Sequence, residues 1–376
     1  MKIITKKLTK DILLAAIFVL LALVSLFAFF ELIKQLDEIS DTFSMGDAIL
    51  VTLLILPTRM YEIMPIACLL GAVFIMSRWA ASSEFTALRC AGMSPVSFAL
   101  SLLVPGILLV GLTYFVGEVV APVAQRYSQE IREGGQSITA RGFSSGAWVR
   151  DVVYDEQHEK IDRYINVHSL STSDRSTTGA WRLFEFKPNG QLNKLVESDR
   201  AHYVDGQGWV LETAKVTTFP RIDVNNTTPN ANKIFVSHHV RYFFQSHIDP
   251  DILYVLTMKP EKMSMRDLDR YVDHLRRNEQ NSEPYEIAFW GKFFYPLAVL
   301  VMLAVSMPFA YMNTRSGGMA IKIFGGVMIG ILFYALNHVF SYLGIVNTWS
   351  PLAVSVTPTI VMLGLATIAM YWVERR

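Results

Sequence analysis

The sequence predicts an α-helical membrane protein with six transmembrane helices, three before and three after an inserted antiparallel β domain. Of its 376 residues, 52% are hydrophobic and only 18% charged, and the mean hydropathy is +0.31, whereas soluble domains carry about 25% charged residues. Long uncharged runs stand near both ends of the chain, and short alternating runs fill the middle. We therefore assign residues 1–124 to helices one to three, 125–286 to the β domain with flanking helices, and 287–376 to helices four to six.

The uncharged runs define the spans, because a helix needs about 20 apolar residues to cross the hydrocarbon core. Three runs qualify directly: residues 12–30, 96–117 and 293–311. Between Lys322 and Glu374 there is no charged residue, and this stretch predicts two spans joined by a turn at residues 347–351. Residues 48–77 are apolar but contain Arg59 and two prolines, which predicts one long, kinked helix.

The distribution of basic residues predicts the orientation of the spans. Lysines and arginines gather at one side of the predicted spans: Lys2, Lys6, Lys7, Lys10, Arg78, Arg89, Arg315, Lys322, Arg375 and Arg376. The loops at the other side, residues 35–47 and 344–350, contain neither lysine nor arginine. Basic loops stay in the cytoplasm, so both termini are expected there and the β domain is expected outside, in the periplasm of a bacterium.

The β domain is predicted from short alternating runs separated by turn residues. The runs cover residues 181–187, 191–196, 201–204, 209–216, 233–236 and 240–244. This spacing is typical of an antiparallel sandwich or an open barrel. Helices are expected on either side of it: residues 122–132 extend the third span, and residues 264–277 begin with Ser264 as N-cap and an acid three residues later.

Motifs for catalysis or metal binding in this sequence are weak, and we predict neither a catalytic residue, nor a metal site, nor a cofactor. Residues 142–146 match G-x-S-x-G, but a strand-like run follows where the hydrolase motif requires a helix. His158-Glu159 begins like a zinc protease motif, but Asp162 stands where the second histidine belongs. The sequence has no Walker motif, so energy must come from a partner. With 34 basic and 33 acidic residues, no nucleic-acid partner is indicated.

A short cytosolic helix is predicted between spans two and three, at residues 80–92. Glu84 lies in its first turn, where the helix dipole favours an acid, and Gly92 suits the position just after its end. Such a helix fits the groove of a soluble partner; the alternative is a helix that only lies at the lipid interface. The candidate coupling residues are Glu84, Leu88, Arg89 and Gly92.

A second group of charges lies near the outer ends of the spans: Glu31, Lys34, Arg59 and Lys292. Charges at this depth favour a polar cavity or an anionic ligand, such as a lipid that carries phosphates. The alternative is that long side chains reach the interface, or that neighbours pair locally, as Glu31 with Lys34 and Arg59 with Glu62.

Four segments in this order and spacing carry a resemblance to a known family: residues 83–94 (Ser-Glu through Ala-Gly-Met-Ser), 117–122 (Gly-Glu-Val-Val-Ala-Pro), 290–296 (Trp-Gly-Lys-Phe-Phe-Tyr-Pro) and 333–338 (Phe-Tyr-Ala-Leu-Asn-His). With three spans on each side of a β domain, the chain resembles the permease subunits of the bacterial lipopolysaccharide exporter, the YjgP/YjgQ-like family. It looks more like the G-type than the F-type subunit.

The resemblance implies a subunit that takes lipopolysaccharide from the inner membrane and passes it through jellyroll-like β domains to a periplasmic bridge protein. It implies four protein partners: a homologous F-type permease, a cytosolic ATPase dimer, a single-span regulatory subunit beside span one, and the bridge. Glu84 would be the family's coupling glutamate, and spans one and five the lateral gates. Better-known members carry more lysine at the outer end of span one; here residues 31–38 are acidic, and Lys34 is the basic candidate.

Two alternatives remain from the residues. A membrane-anchored periplasmic scaffold or sensor would not need the cytosolic helix. A lipoprotein-releasing permease usually has four spans, with the outside domain inserted after the first, whereas this sequence predicts three spans before the insert.

Overall fold

The computed structural model describes residues 2–40, 43–82, 84–132, 138–139, 146–154, 158–170, 176–220, 233–256, 258–311 and 318–375. Six segments in it are long and apolar enough to span a membrane: Ile4–Leu36, Met45–Ala81, Pro95–Arg132, Glu283–Tyr311, Met319–Asn347 and Pro351–Glu374. Three precede and three follow a β sheet, so the predicted fold class is confirmed.

The chain divides into a helical unit, Met1–Arg132 with Glu283–Arg376, and a β unit, Glu133–Ser282. The helices of the helical unit are α1 (Lys2–Leu36), α2 (Met45–Ala81), α3 (Glu84–Cys90), α4 (Pro95–Phe115), α5 (Ala121–Arg132), α8 (Glu283–Phe294), α9 (Ala298–Ser306), α10 (Pro308–Tyr311), α11 (Met319–Asn347) and α12 (Pro351–Glu374). The expected boundaries at residues 125 and 286 fall inside α5 and α8.

The first two spans pack against each other at very short range. A Cβ atom on Gly71 of α2 would lie 2.6 Å from the backbone nitrogen of Ala16 in α1, so only glycine permits this approach, which small residues typically allow between membrane helices. Pro57 and Pro65 lie within α2 without ending it, because neighbouring groups can satisfy the backbone atoms that a proline leaves unpaired. The prediction that residues 48–77 form one helix is confirmed.

The third and fourth spans are both interrupted by an irregular turn. A π-helical turn, Val116–Val120, joins α4 to α5, and the predicted extension of the third span beyond residue 122 is confirmed. In the fourth span a 3₁₀ turn, Tyr295–Leu297, separates α8 from α9, since Pro296 has no backbone N–H to continue the helix. The two turns are neighbours, because the Tyr114 hydroxyl donates a hydrogen bond to the Phe293 carbonyl.

The short helix between spans two and three covers fewer residues than predicted: α3 is Glu84–Cys90 rather than residues 80–92. The difference arises because α2 continues through Ala81, and the Ser82 N–H still bonds to the carbonyl of Arg78. At the other end Gly92 has φ +87°, and its N–H bonds to Arg89 while that of Met93 bonds to Leu88. This pattern is a Schellman motif, so the prediction that Gly92 follows the helix end is confirmed.

The β unit contains a sheet of ten strands within the described residues: β1 (Ile138–Thr139), β2 (Ala147–Tyr154), β3 (Lys160–Val167), β4 (Ser169–Leu170), β5 (Thr177–Thr178), β6 (Trp181–Phe186), β7 (Leu192–Ser198), β8 (Arg200–Val204), β9 (Gly208–Thr218) and β10 (Phe235–Phe244). Their order is β1-β4-β5-β8-β9-β7-β6-β3-β2, with β10 also paired to β9 and every described pair antiparallel. Because β9 pairs with β8 along its first half and β7 along its second, the sheet folds over and nearly closes.

The core of the β unit is aromatic. Trp181 and Trp209 are buried, with ring centroids 4.8 Å apart, and the Trp209 indole N–H donates to the carbonyl of Ile248 at 2.7 Å. The two strands expected at residues 233–236 and 240–244 form the single strand β10, so that expectation was wrong. No glycine or proline lies between them to turn the chain, and Ser237, His238 and His239 continue the strand with exposed side chains.

Two helices complete the β unit, α6 (Pro250–Val255) and α7 (Met265–Arg277). The predicted N-cap of α7 is confirmed, because the Ser264 side chain accepts from the Asp267 N–H and the Asp267 carboxylate accepts from the Ser264 N–H.

Candidate functional site

Charged side chains of the helical unit gather at two levels, separated by the uncharged residues 12–30 of α1. At 1.5 Å per residue this stretch is about 28 Å long, close to the thickness of the hydrocarbon core. We call the first group the Glu84 cluster (Lys7, Asp11, Trp79 and Glu84) and the second the Glu31 cluster (Glu31, Lys34, Arg59 and Glu62). A buried pair, Glu118 and Lys292, lies in the two spans that contain irregular turns.

The Glu84 cluster links the beginning of α1 to α3. The Lys7 ammonium lies 2.6 Å from the Glu84 carboxylate, with 54% of the Lys7 side chain and 43% of the Glu84 side chain exposed. Lys7 also lies 5.6 Å from the centroid of the Trp79 ring, and the Trp79 indole N–H donates to Asp11 at 3.4 Å. The first span, the end of the second span and α3 are therefore joined by one set of polar contacts.

Aromatic packing anchors α3 on the helix bundle. Phe85 is 4% exposed, and its ring centroid lies 5.2 Å from that of Phe98 in α4 and 4.6 Å from that of Tyr311 in α10. The Arg89 guanidinium lies 5.1 Å from the same Tyr311 ring. Leu88 is partly buried against the core, whereas Arg89 is exposed. A force applied to α3 therefore reaches α4 and α10 through Phe85.

The Glu31 cluster joins the far end of α1 to the middle of α2. Arg59 bridges two carboxylates: its Nη1 lies 2.8 Å from Glu62 and its Nη2 lies 3.3 Å from Glu31. Glu31 is 8% exposed and also accepts a hydrogen bond from the Gln35 amide at 3.1 Å. Lys34 lies 4.0 Å from Glu31, with 67% of its side chain exposed. Lys34 is thus the more exposed cation of this cluster, and Arg59 is the less exposed one.

Lys292 and Glu118 form a buried ion pair between the fourth and third spans. Their charged atoms lie 3.5 Å apart, with 9% of the Lys292 and 23% of the Glu118 side chain exposed. The Lys292 ammonium also lies 5.7 Å from the centroid of the Tyr61 ring in α2. Tyr61 stacks obliquely on Tyr295 at 5.3 Å, and the Tyr295 hydroxyl donates to the Glu62 carbonyl. These contacts bring the second, third and fourth spans together near the Glu31 cluster.

The π-helical turn sets the direction of Glu118. A π turn inserts one extra residue into a helix and often occurs at functional positions. A Cβ atom on Gly117 would lie 2.4 Å from Cδ2 of Tyr61, so the glycine allows the aromatic ring to cover the turn. Without the extra residue, the side chains after it would be rotated by about 100° around the helix.

The structure therefore brings together the candidate residues of the outer level in two groups rather than one: Glu31, Lys34 and Arg59 in the Glu31 cluster, and Lys292 with Glu118. The local pairs considered from the sequence are present, Glu31 with Lys34 and Arg59 with Glu62. Sequence reasoning missed Glu118 and Lys7 as partners. An acid directly after the uncharged residues 96–117 was the available signal for Glu118.

The β unit contains a cavity of about 690 Å³, whose lining includes Tyr154, Arg163, Tyr203 and His247. The Arg163 guanidinium is held by Glu185 at 3.2 Å, so the cavity has one oriented cation among aromatic walls. Such a lining suits an amphipathic molecule with polar groups at one end.

Ion pairs link strands β2 and β3 to the end of α7. Asp162 lies 2.7 Å from Arg150 and raises the pKa of that guanidinium through their hydrogen bond. Glu279 raises the pKa of Lys160 in the same way. Burial lowers the pKa of His274, which is 5% exposed in α7. These groups stabilise the unit, and we assign them no chemistry.

The weak chemical motifs gain no support from their surroundings. Residues 142–145 of the G-x-S-x-G match lie outside the described residues, and β2 begins at Ala147 directly after it. His158 and Glu159 are exposed, and Asp162 is engaged by Arg150. In the part of the chain that the structure describes, no three His, Cys, Asp or Glu side chains are arranged to hold a metal ion.

Comparison with known proteins gives matches along nearly the whole chain. A family model described as lipopolysaccharide export system permease LptF/LptG matches residues 6–372. The chain is 25% identical over 343 residues to the lipopolysaccharide export system permease protein LptG of Haemophilus influenzae, covering 90% of this chain and 89% of that protein. It is 26% identical over 355 residues to the protein of the same name from Escherichia coli strain K12, covering 93% and 92%.

Proposed function

Because this chain belongs to the family of lipopolysaccharide export system permeases LptF/LptG, we propose that it draws lipopolysaccharide out of the inner membrane and passes it to a periplasmic bridge, driven by a partner ATPase. The chain is an LptG-type permease and a multi-pass inner-membrane protein, and it is not itself an enzyme. The proposal concerns how its residues couple to nucleotide hydrolysis, where the lipid is held, and which partners cover its surfaces.

The observation that carries the proposal is the ion pair between Glu84 of α3 and Lys7 of α1. Both side chains are about half exposed, and exposed pairs contribute only about 0–1 kcal/mol. A basic side chain of a docking partner can therefore replace Lys7 as the ion-pair partner of Glu84 at a small cost in free energy. Because the same pair joins α3 to the first span, a partner that takes over Glu84 also releases α1 from α3.

We assign Leu88, Arg89 and Gly92 to the same docking face. Arg89 is exposed and held over the Tyr311 ring, and Gly92 ends the helix sharply with its left-handed conformation. Phe85, buried beneath them, keeps the face attached to α4 and α10. Closure of the ATPase dimer would thus push on three helices at once.

We propose that the Glu31 cluster, at the other level, binds the phosphates of the lipid. Lys34 is the exposed contact. The Arg59 side chain is 32% exposed, and its guanidinium can turn toward an anion when water replaces it beside Glu62. Lys292 is held by Glu118, so we assign it to positioning the third and fourth spans. The cavity of the β unit offers Arg163 and aromatic walls to the same lipid after it leaves the membrane.

The proposed orientation places both termini in the cytoplasm and the β unit in the periplasm, supported by the basic residues near the ends of the spans. In the apolar windows of the first and fifth spans, only 28% and 22% of residues are buried within the chain, against 67% in the second span. These exposed faces suit the partners that we propose: a homologous F-type permease and a single-span regulatory subunit. The bridge protein is proposed to receive the lipid from the β unit.

Charge reversal at Glu84 tests the coupling. In the assembled transporter we expect Glu84→Lys to leave the chain inserted and folded but to separate ATP hydrolysis from lipopolysaccharide release to the bridge protein in proteoliposomes. The matched control is Glu374→Lys, which reverses an exposed acid at the end of α12. Wild-type export by Glu84→Lys would refute the coupling role.

A second variant separates docking from internal pairing. Lys7→Glu combined with Glu84→Lys restores an ion pair within the chain, but presents the opposite charge to the partner. We expect this double variant to remain uncoupled. If it exports normally, Glu84 acts only by holding α1. A scaffold or sensor, the alternative class of protein, would neither retain an ATPase during purification nor depend on Glu84.

A further inference from the structure

A groove of about 810 Å³ lies along the first turns of α1, at the end of the helix away from the Glu31 cluster. Its polar end is formed by Lys6, Thr9 and Lys10, and its walls by Leu13, Leu14 and Val104. Leu14 is 59% and Val104 46% exposed. The groove therefore changes from cationic to apolar along its length, as an amphipathic ligand requires.

The two lysines of the groove lack acidic partners. Lys6 and Lys10 are one helical turn apart and exposed, and within the described residues neither forms an ion pair, whereas the adjacent Lys7 pairs with Glu84. Between them, the Thr9 hydroxyl oxygen is buried and has no hydrogen-bond partner among the described residues. This buried atom lies out of reach of a molecule in the groove, so Lys6 and Lys10 supply that molecule's polar contacts.

Lysines crowd the first three turns of α1. The opening sequence of the helix is Lys-Ile-Ile-Thr-Lys-Lys-Leu-Thr-Lys, and its first turn contains no acid. An anion bound between Lys6 and Lys10 would offset the charges of these two lysines.

We propose that this groove binds one anionic glycerophospholipid, with its phosphate between Lys6 and Lys10 and its acyl chains along Leu13, Leu14 and Val104. A polar end that passes directly into apolar walls at a helix end matches a lipid lying at its normal depth. Lys34 lies about 42 Å further along α1 at 1.5 Å per residue, so this lipid occupies the leaflet opposite to the Glu31 cluster. The site is therefore separate from the lipid path of the proposed function.

Photolabelling in nanodiscs tests the site with the full-length chain. The probe is phosphatidylglycerol with a photoreactive acyl chain in a phosphatidylcholine bilayer, and the labelled peptides are mapped by mass spectrometry. We expect labelling of residues 5–14. Lysines near an anionic headgroup attract it electrostatically, so at a phosphatidylglycerol fraction well below saturation Lys6→Gln with Lys10→Gln should lower the labelled fraction about 30-fold, the equivalent of ~2 kcal/mol.

Three comparisons make the outcome decisive. Lys6→Arg with Lys10→Arg should retain labelling, and Lys233→Gln with Lys259→Gln, two exposed lysines of the β unit, should not change it. In each variant the buried Cys68 thiol should stay unreactive, which shows that the variant is folded. Equal labelling after loss of both lysines, or equal labelling by photoreactive phosphatidylcholine, overturns the proposal. The proposal is also overturned if lipopolysaccharide competes more strongly than phosphatidylglycerol, or if position 14 crosslinks to a partner helix in the assembled transporter. None of these results tests the coupling role of Glu84.

Discussion

Replacing Lys292 by methionine tests whether the buried ion pair with Glu118 holds the third and fourth spans together. Methionine has a similar length and is apolar, so the change removes the charge and leaves the volume nearly constant. The Glu118 carboxylate then loses a partner 3.5 Å away in a site where 23% of its side chain is exposed. The effect measured is therefore that of a mostly buried carboxylate that has lost this cation.

The expected loss of stability follows from this burial. Removing one partner of a buried ion pair typically destabilises a protein by about 3–5 kcal/mol. Because Glu118 can regain some water, we expect the lower end, ~3 kcal/mol. In a folded unit of this size, that corresponds to a fall in Tm of about 6–12 °C. Adding Glu118→Gln to Lys292→Met removes the carboxylate charge and should bring the stability back to within about 1 kcal/mol of the original.

The two cysteines of the chain provide the assay. Cys68 is fully buried in α2 and Cys90 is exposed, so Cys90→Ser leaves a single thiol that reacts with a fluorogenic maleimide only on unfolding. Thermal unfolding of the purified protein in mild detergent is then followed by this reaction. It reports on the second span, whose Tyr61 contacts Lys292 and Gly117, the residue before Glu118.

The control is Lys34→Met, because Lys34 is exposed and lies 4.0 Å from its acidic neighbour; its Tm should stay within about 2 °C of the original. If Lys292→Met unfolds at the same temperature as the control, the pair does not hold the spans. If the double variant is no more stable than Lys292→Met, the loss comes from packing of the lysine stem rather than from its charge.

Two further predictions concern Gly117 in the helical unit and His274 in the β unit. Gly117→Ala places a Cβ atom 2.4 Å from the Tyr61 ring, and overpacking of this kind should cost about 1–3 kcal/mol in the thiol assay; an unchanged Tm would mean that the ring moves freely. Burial lowers the pKa of His274 from its usual 6.5, so the folded β unit binds fewer protons than the unfolded chain, and its stability should fall as the pH drops through about 6.5. His274→Gln should flatten this dependence between about pH 7.5 and about pH 5.5, measured by hydrogen exchange of the β-unit peptides after correction for the intrinsic rate; an equal slope in the variant would assign the dependence to other groups.

The number of spans and the β insertion could be predicted because they depend on local properties of the chain. An uncharged run of 19 residues such as 12–30 favours the membrane wherever its neighbours lie, and alternation over six to eight residues favours a strand in any sheet. The end of α3 could be predicted for the same reason, because it depends on one residue: Gly92 adopts the left-handed conformation that a Schellman motif needs. The expectation of two strands, at residues 233–236 and 240–244, was wrong because local signals there are ambiguous: residues 237–239 continue β10 with exposed side chains.

The sequence by itself thus determined which segments enter the membrane, where a short helix leaves it, and that the charges at 31, 34, 59 and 292 lie near one level. Only the tertiary structure decided which charges meet: Lys7 with Glu84, 77 residues apart, and Arg59 with Glu31, 28 residues apart. The physical reason is that a pairing depends on which helices are neighbours and on the rotation of each about its axis. One extra residue in the turn Val116–Val120 changes that rotation by about 100°, and no local preference in the sequence reveals it.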